Sequence, residues 1–399
     1  MDITISPGLL SGSLNAIASK SHAHRLLICA AFSDRRTTLI CRETNRDIEA
    51  TAQCLRAIGA NVCRDTGKYI IDPIVCIPEK ADLFCGESGS TLRFMLPIVG
   101  ALGIDSTFHM EGRLPQRPLS PLWEQMQQMG CQLSRPTANT IHCTGKLHCG
   151  SYNIGGNISS QFITGLLFAM AVMDGESVLT VTGKLESKPY VDMTQKAMSV
   201  FGVKTDGLSV SGSRPFHSLG TVYVEGDWSN TAFFLAANAL GSCVSIHGLD
   251  TDSAQGDRAA AQLIISLKEH CTISAADIPD LVPILSVVAA ANKGAEFSDI
   301  RRLRLKESDR VASVCAMLEA LGIRTATTEN TLTIYPGVFQ GGIVDAVNDH
   351  RIAMSAAVAA TIAEGAVTIL GAECVSKSYP TFLDEYRRLG GSYEQYVRK

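Results

Sequence analysis

Six times along the chain a short polar cluster stands directly before a helix-length run of small apolar residues, and the copies recur at a spacing of about 70 residues. They read ASKSHAHRLLICAAF from Ala18, GESGSTLRFMLPIVGAL from Gly86, GGNISSQFITGLLFAM from Gly155, EGDWSNTAFFLAANAL from Glu225, DIPDLVPILSVVAAA from Asp277 and VNDHRIAMSAAVAA from Val347. A second helical run follows in each copy and ends in a similar way, at Gly59, Gly130, Gly202, Gly322 and Gly390, with only the copy near His270 lacking the glycine. Two registers of repetition at one period mean that a supersecondary unit has been repeated. Because a helix N-terminus carries free N–H groups and partial positive charge, a set of polar N-termini facing common clefts would hold small, multiply charged anions.

Between the helical runs lie β-branched stretches and turn signals such as NVCRDTGKYIIDPIVCIPEKADLFCGE from Asn61, enough for two or three short strands per copy. Each copy is therefore mixed α/β. Its first helix is too apolar to face water on any side, so the helices are expected inside with sheets around them, the inverse of the usual barrel. The fourth copy is short by about 20 residues, and the strand-turn-strand segment before the first polar cluster, DITISPGLLSGSLNAIA, has about that length. The expectation is that this segment completes the fourth copy. The chain then begins in one domain, builds a second over residues 19–226, and returns to finish the first, which consists of residues 1–18 plus 227–399.

Composition bounds the function. The 399 residues are 46% hydrophobic, enough for two cores, and the net charge of -4 gives no reason to expect nucleic acid as partner. The apolar runs, such as ITGLLFAMAVM from Ile163, are shorter than the roughly 18 residues of a membrane span. Thirteen cysteines, an odd number without a C-x-x-C pair, read as reduced thiols in a cytoplasmic protein. Two His-Cys pairs in IHCTGKLHCG invite a metal reading, but strand neighbours such as His142 and Cys143 point to opposite faces, and no metal is expected.

The polar clusters concentrate cations and acids. Lys20, Ser21 and Arg25 stand in the first, with the helix expected to begin between Lys20 and Arg25. The second, around Glu87 and Gly89, is a small-residue turn suited to an oxyanion, and Arg117 follows, just before a helix start. Ser159, Ser160 and Gln161 open the third apolar helix and Ser187 to Tyr190 its companion, where a phosphate site competes with ordinary capping. In isolation Asp280 reads as the cap of its helix. Lys306 and Arg310, spaced i and i+4, would share one helix face beside Glu307, while His350 and Arg351 precede another apolar helix and Lys377 a third.

In combination and order, SKSHAHR, GESGSTLR, RLPQRP, SSQ, SKPY, IPD, LKESDR, NDHR and SKSYP resemble the 5-enolpyruvylshikimate-3-phosphate synthase family over essentially the whole chain. The resemblance implies a two-domain inverse α/β barrel, each domain made of three βαβαββ repeats around buried helices, with the active site in the interdomain cleft. It implies a cytoplasmic monomer that needs no cofactor, is a glyphosate target, and transfers the enolpyruvyl group of phosphoenolpyruvate to the 5-hydroxyl of shikimate-3-phosphate. Shikimate-3-phosphate would be held by Lys20, Ser21, Arg25, Ser159, Ser160, Gln161, Ser187, Tyr190, Asp280 and Lys306. Phosphoenolpyruvate would be held by Lys20, Glu87, Gly89, Arg117, Gln161, Arg310, His350, Arg351 and Lys377. Lys20, Asp280 and Glu307 would be catalytic: Asp280 as base near the 5-hydroxyl, Glu307 at C3 of phosphoenolpyruvate, and Lys20 as charge stabiliser and acid for the leaving phosphate. Which of them moves which proton is left open by the sequence.

In two places the chain departs from the family's usual pattern, Glu87 standing where Asn is frequent and Arg302 where a small polar amide is common. Two alternatives compete with this reading: the sister enzyme acting on UDP-N-acetylglucosamine, whose loop cysteine has no counterpart in GRLPQRPLSP, and a non-catalytic anion-binding relative, against which Lys20, Asp280 and Glu307 argue.

Overall fold

A computed structural model describes residues 1–212 and 216–396. The chain divides into two compact units, one of residues Met1–Ile17 and Gly226–Lys399, the other of Ala18–Glu225.

The Ala18–Glu225 unit holds α1 (Lys20–Ala31), α2 (Arg46–Ala57), α3 (Gly89–Leu102), α4 (Leu122–Gln128), α5 (Ser160–Val172) and α6 (Lys188–Val200). Three sheets accompany them. One runs, in spatial order, Thr221–Tyr223, Thr37–Ile40, Lys68–Asp72, Asn61–Asp65; a second Lys80–Gly86, Asp105–Met110, Thr140–Gly145, Cys131–Ser134; a third Ser151–Gly155, Glu176–Thr182, Ser209–Ser211. In the second and third, the strands before and after an apolar helix pair in parallel, as a crossover through a helix requires, and the following strands add antiparallel; in the first, the parallel partner of Thr37–Ile40 is Thr221–Tyr223, from the far end of the unit. Helices α3 and α5 are buried along nearly their whole length and pack on each other. Their close approach depends on Gly165, where a Cβ would lie 2.1 Å from the Arg93 carbonyl oxygen.

The second unit holds α7 (Trp228–Ala239), α8 (Ala260–Ser266), α9 (Val282–Ala291), α10 (Arg310–Ala320), α11 (His350–Ala360) and α12 (Phe382–Arg388). Of these, α7, α9 and α11 are the buried, mutually packed helices. The N-terminal segment is used differently from the expectation. Only Ser11–Asn15 joins the short fourth copy, pairing in parallel with Cys243–His247, whereas Asp2–Ser6 inserts between Val367–Leu370 and Ser392–Tyr396 in the last sheet. That sheet has an edge to cover, and Ile3 and Ile5 alternate inward to bury themselves in it.

Glycines 59, 130, 202, 322 and 390 all take positive φ just past a helix end. At Gly59 a Cβ would lie 2.4 Å from the Cys76 carbonyl oxygen, so both the turn and the packing demand glycine there. Among the described residues no helix is long and apolar enough to cross a membrane. All thirteen cysteines are free. In the strand Thr140–Gly145, His142 bonds Asp105 at 2.7 Å while Cys143 turns into the core.

Candidate functional site

In the Ala18–Glu225 unit the candidate residues collect at helix starts. Helix α1 begins at Lys20 rather than beyond it, because Ser19 caps it by accepting from the His22 N–H at 3.4 Å. Both backbone groups of Glu225 bond to this turn: Ser19 N–H donates to its carbonyl at 2.8 Å, and its own N–H donates to His22 Nδ1 at 3.2 Å. Burial, with Arg25 and Lys196 adding, lowers the His22 pKa to about 3, which keeps that nitrogen free to accept. Lys20 Nζ meets Asp47 Oδ2 at 3.0 Å, on the first turn of α2.

Arg25 is buried and ties three helices together. It donates to the Ser21 carbonyl at 2.7 Å, to Thr194 Oγ1 at 2.8 Å and to the Tyr190 carbonyl at 2.9 Å, with its guanidinium over the Phe94 ring at 5.2 Å. Burial lowers its pKa to about 10, so it is charged at neutral pH. The first turns of α1 and α6, with Ser21 and Tyr190, are thereby fixed beside each other. Ser187 precedes α6 at φ 56°, a left-handed conformation that is strained for a residue with a Cβ, and its side chain does not cap the helix.

Ser88 caps α3, so Gly89 is its first residue. A Cβ on Gly89 would lie 2.6 Å from Arg93 Nη1 and 2.8 Å from Arg117 Nη1, which places two guanidinium groups against this turn. Arg117 follows a single 3-10 turn, Leu114–Gln116, and does not stand before a helix start; α4 begins later, at Leu122. Ser159 caps α5, Ser160 is its first residue, and Gln161 Nε2 donates to Ser90 Oγ at 3.0 Å, linking α5 to the same turn. Glu87 lies against Gly112, where a Cβ would sit 2.6 Å from its Oε2.

The other unit assembles a charge cluster whose core, Arg310, Asp349 and Arg351, is buried and whose outer members, Asp280, Lys306 and Glu307, are half-buried. Asp280 does not cap α9, whose N-cap is Leu281. Its carboxylate instead accepts from Arg310 Nη1 at 2.5 Å and pairs with Arg351 Nη2 at 3.2 Å and Lys306 Nζ at 3.6 Å. Lys306 and Arg310 do not share a helix face: Lys306 ends a 3-10 turn, Arg301–Leu305, and Asp309 caps a new helix at Arg310. The Arg310 guanidinium, fully buried, bonds Glu307 as well and reaches Asp349 Oδ2 at 2.9 Å. Asp349 also caps α11, accepting from Arg351 N–H at 3.0 Å, so His350 and Arg351 are its first residues. Lys377 ends a 3-10 helix, Ala372–Lys377, rather than beginning a helix, and donates to the Asn348 carbonyl at 3.0 Å.

Electrostatics follow from this packing. Burial works to raise the Asp280 pKa, but Arg351, Lys306 and Arg310 together outweigh it and hold the carboxyl well below the usual carboxylate range. Burial lowers Lys306 to about 8 against the pull of Asp280. Asp257, buried beside this cluster, is raised to about 6 by burial and by Asp280.

Each unit thus brings its own candidates together: Ser21, Arg25 and Tyr190 through the Arg25 bonds, Gly89, Arg117 and Gln161 around one turn, and Asp280, Lys306, Glu307, Arg310 and Arg351 in one ion cluster. The sequence reasoning assigned no role to Asp47, Arg93 or Asp349. Asp349 carried a signal: an Asp one residue before HRIAMSAAVAA is an N-cap pattern.

The family model described as EPSP synthase (3-phosphoshikimate 1-carboxyvinyltransferase) matches residues 5–277 and 265–386. The 3-phosphoshikimate 1-carboxyvinyltransferase of Clostridium kluyveri is 35% identical over 420 residues, covering 99% of this chain and 98% of its own length. That of Clostridium acetobutylicum is 36% identical over 424 residues with the same coverage. In fold, the chain is similar to a solved EPSP synthase from Acinetobacter baumannii, with a TM-score of 0.80 at 24% identity over 99% of this chain and 100% of that one. The match to the family model and the full-length likeness to these relatives place the chain in the EPSP synthase family.

Proposed function

We propose that this chain transfers the enolpyruvyl group of phosphoenolpyruvate to the 5-hydroxyl of shikimate-3-phosphate, releasing phosphate. The observation that carries the reading is the setting of Asp280: a half-buried carboxylate surrounded by Arg310, Arg351 and Lys306, a cluster suited to receive anions and to handle protons beside them. Its family membership supports the same chemistry.

The reaction adds a proton to C3 of phosphoenolpyruvate, forms a bond from the 5-hydroxyl oxygen to C2, and then expels phosphate as a proton leaves the methyl group. Asp280 serves the 5-hydroxyl, Glu307 works at C3, and Lys20 stabilises the phosphate that departs. With its three cations in place Asp280 is a weak base. When the substrate carboxylate and phosphate draw Arg310, Arg351 and Lys306 onto themselves, the stabilisation of Asp280 and Glu307 falls and their basicity rises. Binding and activation are then one event. Arg117, Gln161, His350 and Lys377 hold phosphoenolpyruvate together with the Gly89 turn, and Ser159, Ser160, Ser187 and Tyr190 hold shikimate-3-phosphate with Ser21 and Arg25.

The two units act as the two domains of an inverse α/β barrel pair, each of three βαβαββ repeats. The protein works as a cytoplasmic monomer without a cofactor. A phosphate-release assay with phosphoenolpyruvate and shikimate-3-phosphate tests the reading. Release with that pair and none with UDP-N-acetylglucosamine is expected, and no release with either acceptor would overturn it.

A further inference from the structure

Three buried polar side chains of the Ala18–Glu225 unit, His24, Thr51 and Thr91, have no part in the mechanism above yet lie between two groups that do. Lys20 and His24 are four residues apart on α1, and Asp47 and Thr51 are four apart on α2. They form two rungs one helical turn apart: Lys20 Nζ to Asp47 Oδ2 at 3.0 Å, and His24 Nδ1 to Thr51 Oγ1 at 2.7 Å. Thr91 on α3 joins both rungs, with its hydroxyl 2.7 Å from Thr51 Oγ1 and 3.3 Å from the Asp47 carbonyl oxygen. The same hydroxyl lies 2.8 Å from the Oγ of Ser88, the cap of α3 and the neighbour of Gly89. His24, Thr51 and Thr91 are fully buried.

We propose that His24 is a positioning residue: through Thr51 and Thr91 it sets the spacing of the α1, α2 and α3 N-termini, and with it the places of Lys20 and of the Gly89 turn. The inference rests on the roles proposed above for Lys20 and Gly89. Close packing alone resists a relative shift of the three helices, and a buried hydroxyl chain adds a directional constraint to it, since each lost bond leaves an unsatisfied group.

The direction of the chain fixes the state of the imidazole. Thr91 has one hydroxyl proton, which goes to the Asp47 carbonyl or to Ser88 Oγ. Thr51 then donates to Thr91, and His24 donates to Thr51 from a protonated Nδ1. Burial, reinforced by Lys20 and Arg25, holds the His24 pKa well below its ordinary value, so the ring is neutral and this tautomer persists.

Three variants test the proposal by steady-state kinetics, with folding checked by circular dichroism. His24→Leu removes the donor, His24→Asn offers an amide N–H near the position of Nδ1, and Thr91→Val cuts the chain at the far end with almost no change in volume. His24→Leu should lower kcat/KM for phosphoenolpyruvate at least about tenfold, as expected when a reacting group is misplaced by a fraction of an ångström. His24→Asn should restore it to within about threefold, and the losses in His24→Leu and Thr91→Val should not multiply in the double variant, because they break one chain. Activity of His24→Leu within about twofold of the native protein, an Asn variant as poor as the Leu variant, or fully multiplicative losses would each overturn the proposal. If His24→Leu does not fold, Thr91→Val alone decides, with the same tenfold criterion. Nitrogen-15 NMR of the native protein needs no activity: a neutral histidine protonated at Nδ1 is expected, and the opposite tautomer at His24 would overturn the chain as drawn. Failure of the native protein to release phosphate would instead refute the function reading.

Discussion

Arg310 Nε donates to Asp349 Oδ2 at 2.9 Å, and the other oxygen of the same carboxylate caps α11. One acid therefore fixes both the guanidinium at the centre of the ion cluster and the helix start that carries His350 and Arg351. Arg310 also bonds Asp280 and Glu307, so a single buried cation serves three carboxylates.

Arg310→Gln should be severely destabilising, because removing one member of a buried ion cluster leaves uncompensated charge at a cost of about 3–5 kcal/mol. Urea unfolding at pH 7 measures the loss. The deficit should narrow as the pH falls into the carboxylate range, where the three acids, now without Arg310, take up protons in the variant before they do so in the native protein. A change below about 1 kcal/mol at pH 7 would mean that water, rather than the protein, compensates these groups.

Asp280→Asn separates chemistry from helix capping. Since Asp280 does not cap α9, no cap is lost. Turnover should nonetheless fall by roughly 10²- to 10⁴-fold, with shikimate-3-phosphate still bound by calorimetry. Glu307→Gln should behave alike and also suppress exchange of solvent deuterium into the methylene of phosphoenolpyruvate. Near-normal turnover in either variant removes that residue from the mechanism.

Lys306 should give the pH profile a basic limb. Its pKa in the free protein is about 8, so its charge is present below that value and lost above it. The kcat/KM for shikimate-3-phosphate, which reports the free enzyme, should fall as the pH rises through about 8. Lys306→Arg, whose charge persists, should remove the limb whatever its effect on the plateau.

Asp257→Asn should stabilise the protein at neutral pH. The acid titrates near 3.8 when unfolded and about 6 when folded, so ionisation favours the unfolded chain across that interval and stability drops as the pH rises through it. The variant escapes a penalty of about 3 kcal/mol at pH 7 and gains little at pH 3.5, where the acid is mostly protonated in both states. Thermal melts at the two pH values check this, and equal shifts at both would refute it.

Gly89→Ala should raise the KM for phosphoenolpyruvate more than that for shikimate-3-phosphate, because the added methyl group would meet Arg93 Nη1 and Arg117 Nη1 at 2.6 and 2.8 Å. Inhibition by glyphosate should weaken further than substrate binding. Unchanged constants for both substrates and inhibitor would place the turn outside the site.

What could be read from the sequence was local. Apolar runs on every helical face announced the buried α3, α5, α7, α9 and α11, and Ser88 and Ser159 sat where caps belong. The ion cluster was hidden because its partners are far apart in sequence: Asp280 reads as a cap until Arg310 and Arg351, 30 and 71 residues on, are seen against it. The spacing of Lys306 and Arg310 suggested one helix face, and only the cap at Asp309 shows why the helix begins afresh between them. The path of Asp2–Ser6 was equally beyond a local reading, since either strand of the N-terminal segment has the right pattern to fill a short sheet.

That path bears on how the chain is made. Thr4 bonds Thr368 at 2.9 Å, 364 positions away in sequence, while the described residues of 18–225 find all their sheet partners among themselves. During synthesis the inner segment can reach its native pairing while the ribosome is still at work, and the first strand must wait, unpaired, until nearly the last residues emerge. The waiting strand, with Ile3 and Ile5 uncovered, is the part of the nascent protein most in need of a chaperone.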